Sequence, residues 1–463
     1  MKLDPVVTRT ATAVVAGALA VVFDTTIVGV ALEDLAVDLH ASVPTIQWVS
    51  TAYLLAMFVT IPIAGWAQRV VGGKRLWLGA LGLFLTGSVL CSLAWSAPSL
   101  IAFRAVQGVA GGIMLPLMTT LVMQAARGQA LGRLMGVIGL PAVAGPILGP
   151  VLGGLILDRL DWPWLFWVNV PFCVVGAVLA VWLLPRDEPA ARPGPLDGLG
   201  LALVGPGVVA ILYGLSNAGD HGGFGRADVL APVLAGAALL AGFVVRALRR
   251  GERALVDVRL LRHGPLAASS ALLFLSGAAL YGAMLLLPLY WQQARGADAL
   301  EAGLMLVPQG VGILLSRSLA GRLTDRLGPR WVCVAGFAVV GLSTVPFAYA
   351  TTDTSARPLA AALLVRGVGL GAVIIPLMSA AFVGLGRDEV PHASIITRIA
   401  QQLGGSFGVA LLAVVLHGTS FGTAFWWAVT FTAVAMVLSV LLPARQAQPL
   451  APAGRELSPA GGR

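Results

Sequence analysis

Long apolar runs follow one another along this 463-residue chain, each about the length of a membrane crossing. A bilayer core takes ~20 helical residues to span. Hydrocarbon offers no partner to an open backbone, so such runs fold as helices whose hydrogen bonds close within the segment. Charged residues make up only 11% of the chain, against about 25% in soluble proteins. The apolar residues fill whole runs instead of marking one face of an amphipathic segment. The chain therefore reads as an all-α integral membrane protein embedded in a lipid bilayer.

The runs predict fourteen transmembrane helices, near 11–33, 48–68, 76–95, 98–124, 131–157 and 162–184, then 198–216 and 228–247, then 265–291, 301–322, 331–350, 358–384, 390–417 and 421–442. These group as an N-terminal six-helix bundle (1–185), two inserted helices (198–247) and a C-terminal six-helix bundle (264–442). Residues 443–463, rich in Pro, Ala, Gly and Arg, read as a disordered cytoplasmic tail. The first run is too long for a signal-peptide core and is read as a retained helix.

The net charge of +9 comes from basic residues in short loops, the pattern that fixes orientation in a membrane. Arg69, Lys74 and Arg75 follow the second helix, and Arg322, Arg326 and Arg330 follow the tenth. Both termini are expected in the cytoplasm, with the chain in the cell membrane. No basic stripe with interleaved aromatics points to nucleic acid. Cys91, Cys173 and Cys333 lie inside apolar runs and suggest neither a disulfide nor a metal site.

The chain repeats itself. Gly65, Arg69 and Gly72 precede the third helix as Gly321, Asp325 and Gly328 precede the eleventh, 256 residues later, with Arg326 beside the aspartate. Arg104 and Pro116 in the fourth helix are echoed by Arg366 and Pro376 in the twelfth. Two such halves are a mark of transporters that rock around a central site.

A charge at mid-membrane costs at least ~2.5–3.5 kcal/mol on insertion scales, so each one needs a reason. Of the 21 acidic residues only Asp24 lies well inside a helix of this reading. Nine residues before Glu33, it is expected ~13 Å below the outer surface at ~1.5 Å per residue. Arg104, entering from the same side, is expected ~9 Å deep by the same rise, and Gln107 shares its face. A guanidinium favours an ionised carboxylate and burial favours a neutral one. A carboxylate between these influences can load and release a proton. The alternative is a static Asp–Arg pair that locks two helices. Gln309, Arg366, Arg398, Gln401 and Gln402 are further polar groups within helices, candidates for a cavity lining or for braces between helices. Gly145, Gly149, Gly153 and Gly154, with Pro150, make the densest glycine stretch and suit close helix packing.

These residues resemble the major facilitator superfamily, and within it the fourteen-helix drug:proton antiporter family. Phe23-Asp24-Thr25-Thr26-Ile27-Val28-Gly29-Val30-Ala31-Leu32 is similar to its first-helix motif, Gln47-Trp48-Val49-Ser50-Thr51-Ala52-Tyr53-Leu54-Leu55 to its second-helix opening, and Arg104-Ala105-Val106-Gln107-Gly108 to the fourth-helix motif whose arginine is assigned to proton transfer. Gly149-Pro150-Val151-Leu152-Gly153-Gly154 resembles the fifth-helix motif that marks antiporters, and Gln402-Leu403-Gly404-Gly405 a thirteenth-helix signature. The family's loop after the second helix carries an Asp where this chain has Arg69; the second half keeps it as Asp325. The first-helix motif ordinarily ends in Pro, where this chain has Glu33.

The resemblance implies a proton-coupled antiporter, working as a monomer without a cofactor and exporting small amphipathic compounds by alternating access. Asp24 would carry the proton, tuned by Arg104 and Gln107. A metabolite uniporter or symporter of the same fold is the first rival. A membrane enzyme and a sensor are others, opposed by the lack of a nucleophile–base set and of an appended signalling domain.

Overall fold

The computed structural model describes residues 5–28, 31–126, 145, 149, 152–187, 196–221, 223–251, 254–297, 299–386 and 388–444. Every regular element among them is helical. The first half holds α1 (Pro5–Ile27), α2 (Leu32–Asp38), α3 (Val43–Thr60), α4 (Ile63–Val71), α5 (Gly73–Ser92), α6 (Ala97–Ala126), α7 (Trp164–Trp167) and α8 (Asn169–Leu183). Between the halves lie α9 (Gly198–His221) and α10 (Ala227–Arg250). The second half holds α11 (Gly264–Leu289), α12 (Ala299–Leu304), α13 (Val307–Leu327), α14 (Pro329–Ala348), α15 (Ala356–Ala381), α16 (Val390–Gly418) and α17 (Phe421–Leu438).

Eleven helices are long and apolar enough to cross a membrane, or thirteen spans with two bent pairs each counted once. The expected fifth helix, 131–157, falls largely outside the described residues, so the count of fourteen stays an expectation. In one bent pair, α3 and α4 meet at 60°, where Pro62 stands at the break. Proline has no N–H to continue the ladder, so the kink has a local cause. The other bend, of 46°, lies between Glu301–Ser316 and Leu319–Leu327.

The repeat has a backbone signature. Gly72 and Gly328 take φ of +93° and +83° at the breaks before α5 and α14. Side chains rarely adopt that region, so glycine is needed at both sharp turns. At the first turn the N–H groups of Lys74 and Arg75 donate to the Asp187 carboxylate, at 2.7 and 3.1 Å. A carboxylate there satisfies two of the free donors that open α5 and meets the positive end of its dipole.

In the first half α1 packs on α8 and α6, and α6 also receives α3 and α5. In the second half α11 packs on α16 and α17, and α15 on α13 and α14. One apolar cluster joins the halves at the end carrying the basic loops, where Ala67, Met118 and Val122 share a core with Val390, Ala393 and Ile395. At the opposite end the cores are separate. Ile27, Val49 and Phe166 belong to a cluster of the first half alone, and Tyr290, Phe347 and Phe425 to one of the second half alone. The molecule is thus joined at its basic end, with each half keeping its own core at the other.

The inserted helices pack on each other, and α9 also lies against α3 and α16, one from each half. Gly205 leaves room there for Val59. Asp197, just before α9, accepts from Arg246 Nε and Nη2 at 2.9 and 2.7 Å and from Gly200 N–H at 3.1 Å. Burial pushes this carboxyl upward, but the Arg246 and Gly200 hydrogen bonds outweigh it and hold the group below the usual carboxylate range.

Candidate functional site

Asp24 stands one turn before the end of α1, which stops at Ile27. The expected helix ran on to residue 33; instead a separate short helix, α2, takes up Leu32–Asp38. The nine-residue depth estimate is corrected accordingly. The side chain is nonetheless fully buried, because α5, α6 and α8 close around it.

The carboxylate collects donors from two of those helices. Arg104 Nη1 makes an ion pair with Oδ2. Gln107 Nε2 donates to Oδ1 at 3.1 Å, and Asn169 Nδ2 donates to the same oxygen at 2.9 Å. Behind them Ser88 Oγ accepts from Gln107 Nε2 at 2.7 Å and from Asn169 Nδ2 at 3.2 Å. Arg104 also donates to Gln107 Oε1 at 2.7 Å and to Val49 O at 3.3 Å. Its guanidinium lies 4.1 Å from the centre of the Tyr53 ring, an arrangement that favours a desolvated cation. The pair has no net charge, which is how two ionised groups persist inside a span.

The glycines of the fifth-helix motif reach this site. A Cβ on Gly145 would collide with Val22, and one on Gly149 with Thr26. The Thr26 hydroxyl donates to Gly145 O at 3.0 Å. Val22 and Thr26 flank Asp24 along α1, so Gly145 and Gly149 press on the turn that carries the carboxylate. Gly153 is buried, a Cβ on Gly154 would meet open space, and Pro150 lies outside the described residues.

The second half builds a related cluster without an acid. Arg366, also buried, donates to Gln309 Oε1, to Thr344 Oγ1 at 3.1 Å and to Ala279 O at 3.2 Å. All three acceptors are uncharged. Arg398, on α16, is half-buried, and its Nε has no hydrogen-bond partner among the described residues. It lies within electrostatic reach of Tyr53 across the junction of the halves. Gln401 is buried and Gln402 half-buried one turn further on; neither joins the Arg366 cluster.

The loop residues divide between the two ends of the repeat. Gly65 packs against Pro391 and Ile395 of α16, and Arg69 Nη1 meets His392 Nε2 at 3.0 Å. The Asp257 N–H reaches His392 Nδ1 at 3.2 Å, and the Thr120 hydroxyl donates to Ser394 at 3.2 Å. Gly321 is buried, and Asp325 and Arg326 are exposed on the last turn of α13. Arg69 thus brings a cation to the opening turn of α16, where the helix dipole favours an anion by ~0.3–1 kcal/mol, or up to ~2 when partly buried. Arg69→Asp should therefore raise the fraction of molecules closed at the basic end. Distances between spin labels on the two halves would report it, and an unchanged distribution would leave these basic residues as orientation signals only.

Sequence reasoning missed Asn169, Ser88, Tyr53, His392 and Asp187. Asn169 carried a usable signal, since an amide within an apolar run, Trp167-Val168-Asn169-Val170, needs a partner as a charge does. Tyr53 lies in the stretch that resembles the family's second-helix opening, but no role went with it, and Ser88 carried no signal because a serine buries readily.

A family model described as Major Facilitator Superfamily matches residues 14–409 and 270–461. A "Multidrug resistance protein B homolog" of Mycobacterium tuberculosis (strain ATCC 25618 / H37Rv) is 35% identical over 417 residues, covering 90% of this chain and 77% of that protein. The "Lincomycin resistance protein LmrB" of Bacillus subtilis (strain 168) is 28% identical over 390 residues, covering 84% and 81%. Among solved structures, the proton:xylose symporter XylE superposes with a TM-score of 0.65 at 14% identity, covering 93% of this chain and 94% of that one. A human organic anion transporter (TETRAN) gives 0.66 at 16% identity, covering 94% and 99%. At such identities these two show likeness of fold alone.

Proposed function

The chain belongs to the Major Facilitator Superfamily, and from that premise we propose that it exports small amphipathic compounds while protons enter through Asp24. As a member it is a multi-pass membrane transporter. Export of drug-like compounds is supported by relatives named for multidrug and lincomycin resistance. We assign it to the plasma membrane with the basic-loop end, and so both termini, in the cytoplasm. The conformation described, joined at that end, is then the outward-facing one.

One observation carries the proton assignment. Of the two buried carboxylates among the described residues, Asp24 and Asp197, only Asp24 lies within a span. Ionised, it cancels Arg104 and ties α1 to α6. Protonated, it releases that tie, and Arg104 keeps Gln107 Oε1, Val49 O and the Tyr53 ring. Water admitted from whichever end is open would let the group gain or lose its proton. Substrate would occupy the space between the halves when Asp24 is ionised, so that the two cargoes travel in opposite directions.

The experiment uses inverted vesicles, acid inside, with a dye that reports the pH gradient. Compounds are first chosen by comparing the drug susceptibility of cells with and without the protein. Adding such a compound should dissipate the gradient as it accumulates inside. Accumulation with the gradient untouched would mean a uniporter, and accumulation that requires protons to enter alongside the compound would mean a symporter.

A further inference from the structure

The geometry points to Asn169 as the residue that receives the proton's hydrogen bond when Asp24 is neutral, by turning its side-chain amide over. The inference rests on the reading of Asp24 as proton carrier and adds how the site accommodates the change. Among the described residues Asp24 is hydrogen-bonded by donors alone: Arg104 Nη1 on Oδ2, and Gln107 Nε2 and Asn169 Nδ2 on Oδ1. That set suits a carboxylate, which only accepts, and opposes a carboxylic acid, whose O–H must donate. A proton taken from solvent forms its O–H bond on Oδ1, since Oδ2 faces the guanidinium. One of the two amides must then present an oxygen.

Gln107 is not free to do so. Its Oε1 accepts from Arg104 Nη1 at 2.7 Å and from Cys91 Sγ at 3.7 Å, and turning it would set an amide N–H against the guanidinium. Asn169 is free to turn, because its Oδ1 is buried and has no hydrogen-bond partner among the described residues. A half-turn of this amide brings Oδ1 to the new O–H and moves Nδ2 away. Ser88 keeps the Gln107 donor at 2.7 Å and can point its own hydroxyl hydrogen at the turned oxygen. The turn satisfies the orphaned oxygen and sends the Nδ2 donors to the space it leaves, so what the step gains is the acceptor that a carboxylic acid O–H requires. Among the described residues, Arg104 on α6, Tyr53 on α3, Cys91 on α5 and Cys173 on α8 are titratable or charged groups within electrostatic reach of Asp24. None of the three neutral ones accepts from it, so Asn169 is the positioning residue for the protonated state.

The chain has only two asparagines, Asn169 and Asn217, which makes the inference open to infrared spectroscopy of the intact protein. Asparagine carrying a ¹³C side-chain carbonyl is incorporated, and the acid-minus-neutral difference spectrum is recorded. An isotope-sensitive amide band should appear, persist in Asn217→Ser and vanish in Asp24→Asn together with the carboxylic acid C=O band. In Asn169→Leu the acid band should move to higher wavenumber, as for an O–H without an acceptor, and proton-driven transport should slow by about tenfold, the worth of one ordinary hydrogen bond. Asn169→Gln should recover part of both. An acid band that Asp24→Asn removes, with the asparagine amide silent, would overturn the inference and leave the carrier assignment standing. No acid band at all would instead overturn the carrier assignment.

Discussion

Asp24→Asn is expected to abolish export against a gradient while the protein still folds, inserts and exchanges substrate across a vesicle membrane. Asparagine keeps the shape and one acceptor oxygen but cannot take up a proton. The objection is that Arg104 would remain as a buried charge, and removing one partner of a buried pair costs about 3–5 kcal/mol. The fold itself answers it. Arg366 is buried and, among the described residues, has only Gln309 Oε1, Thr344 Oγ1 and Ala279 O as acceptors, so the same scaffold already tolerates a guanidinium among neutral groups. In the Asp24→Asn protein, Arg104 would have the new amide oxygen, Gln107 Oε1 and Val49 O, a closely similar set. Uphill transport at the wild-type rate would remove Asp24 from the mechanism. Loss of folding in this variant would favour the pair as a structural lock between α1 and α6.

The second large effect concerns packing. Gly404→Val is expected to prevent accumulation of stably folded protein. Helices α11 and α16 approach each other through glycines. A Cβ on Gly404 would enter the backbone of Phe274, one on Gly408 the backbone of Ala278, and one on Gly277 the carbonyl of Gln401. Side chains in the way can rotate, but backbone cannot, and each of these collisions is with backbone. Overpacking ordinarily costs about 1–3 kcal/mol; here the helices must part along their whole contact, so the loss should exceed that range. Small residues are what let membrane helices pack this closely. Gly82→Val on α5, where a Cβ meets nothing within 4 Å, is the control and should behave as wild type. A monodisperse, thermally normal Gly404→Val protein would show that α11 and α16 do not pack as described.

The helical class and the positions of most spans were legible because hydrophobicity at this length has one structural solution in lipid. The meeting of Asp24, Arg104 and Gln107 was legible for a related reason: isolated polar groups in apolar helices must find one another. Element ends were less so. The first helix stops at Ile27 because α2 is a separate short helix, and a run of apolar residues does not record where a helix breaks. Asn169 went unseen although Gln107, Gln309, Gln401 and Gln402 were singled out, because it stands beside Trp164 and Trp167, in a stretch that reads as a helix end at the membrane interface. The partners of Arg69 and the Asp187 cap on α5 depend on loops and on contacts between segments more than a hundred residues apart. Local pattern carries nothing of those. The repeat, by contrast, was visible as spaced glycines and reappears as two positive φ angles at Gly72 and Gly328.

If substrate and proton exchange at one site through Asp24, purified protein in weakly buffered detergent solution should release protons when an exported compound is added. Wild-type protein is expected to release protons on binding, in an amount that varies with pH as for a single carboxyl, and Asp24→Asn to bind the compound and release none. Equal release by Asp24→Asn, or binding by wild-type protein without any release, would contradict it.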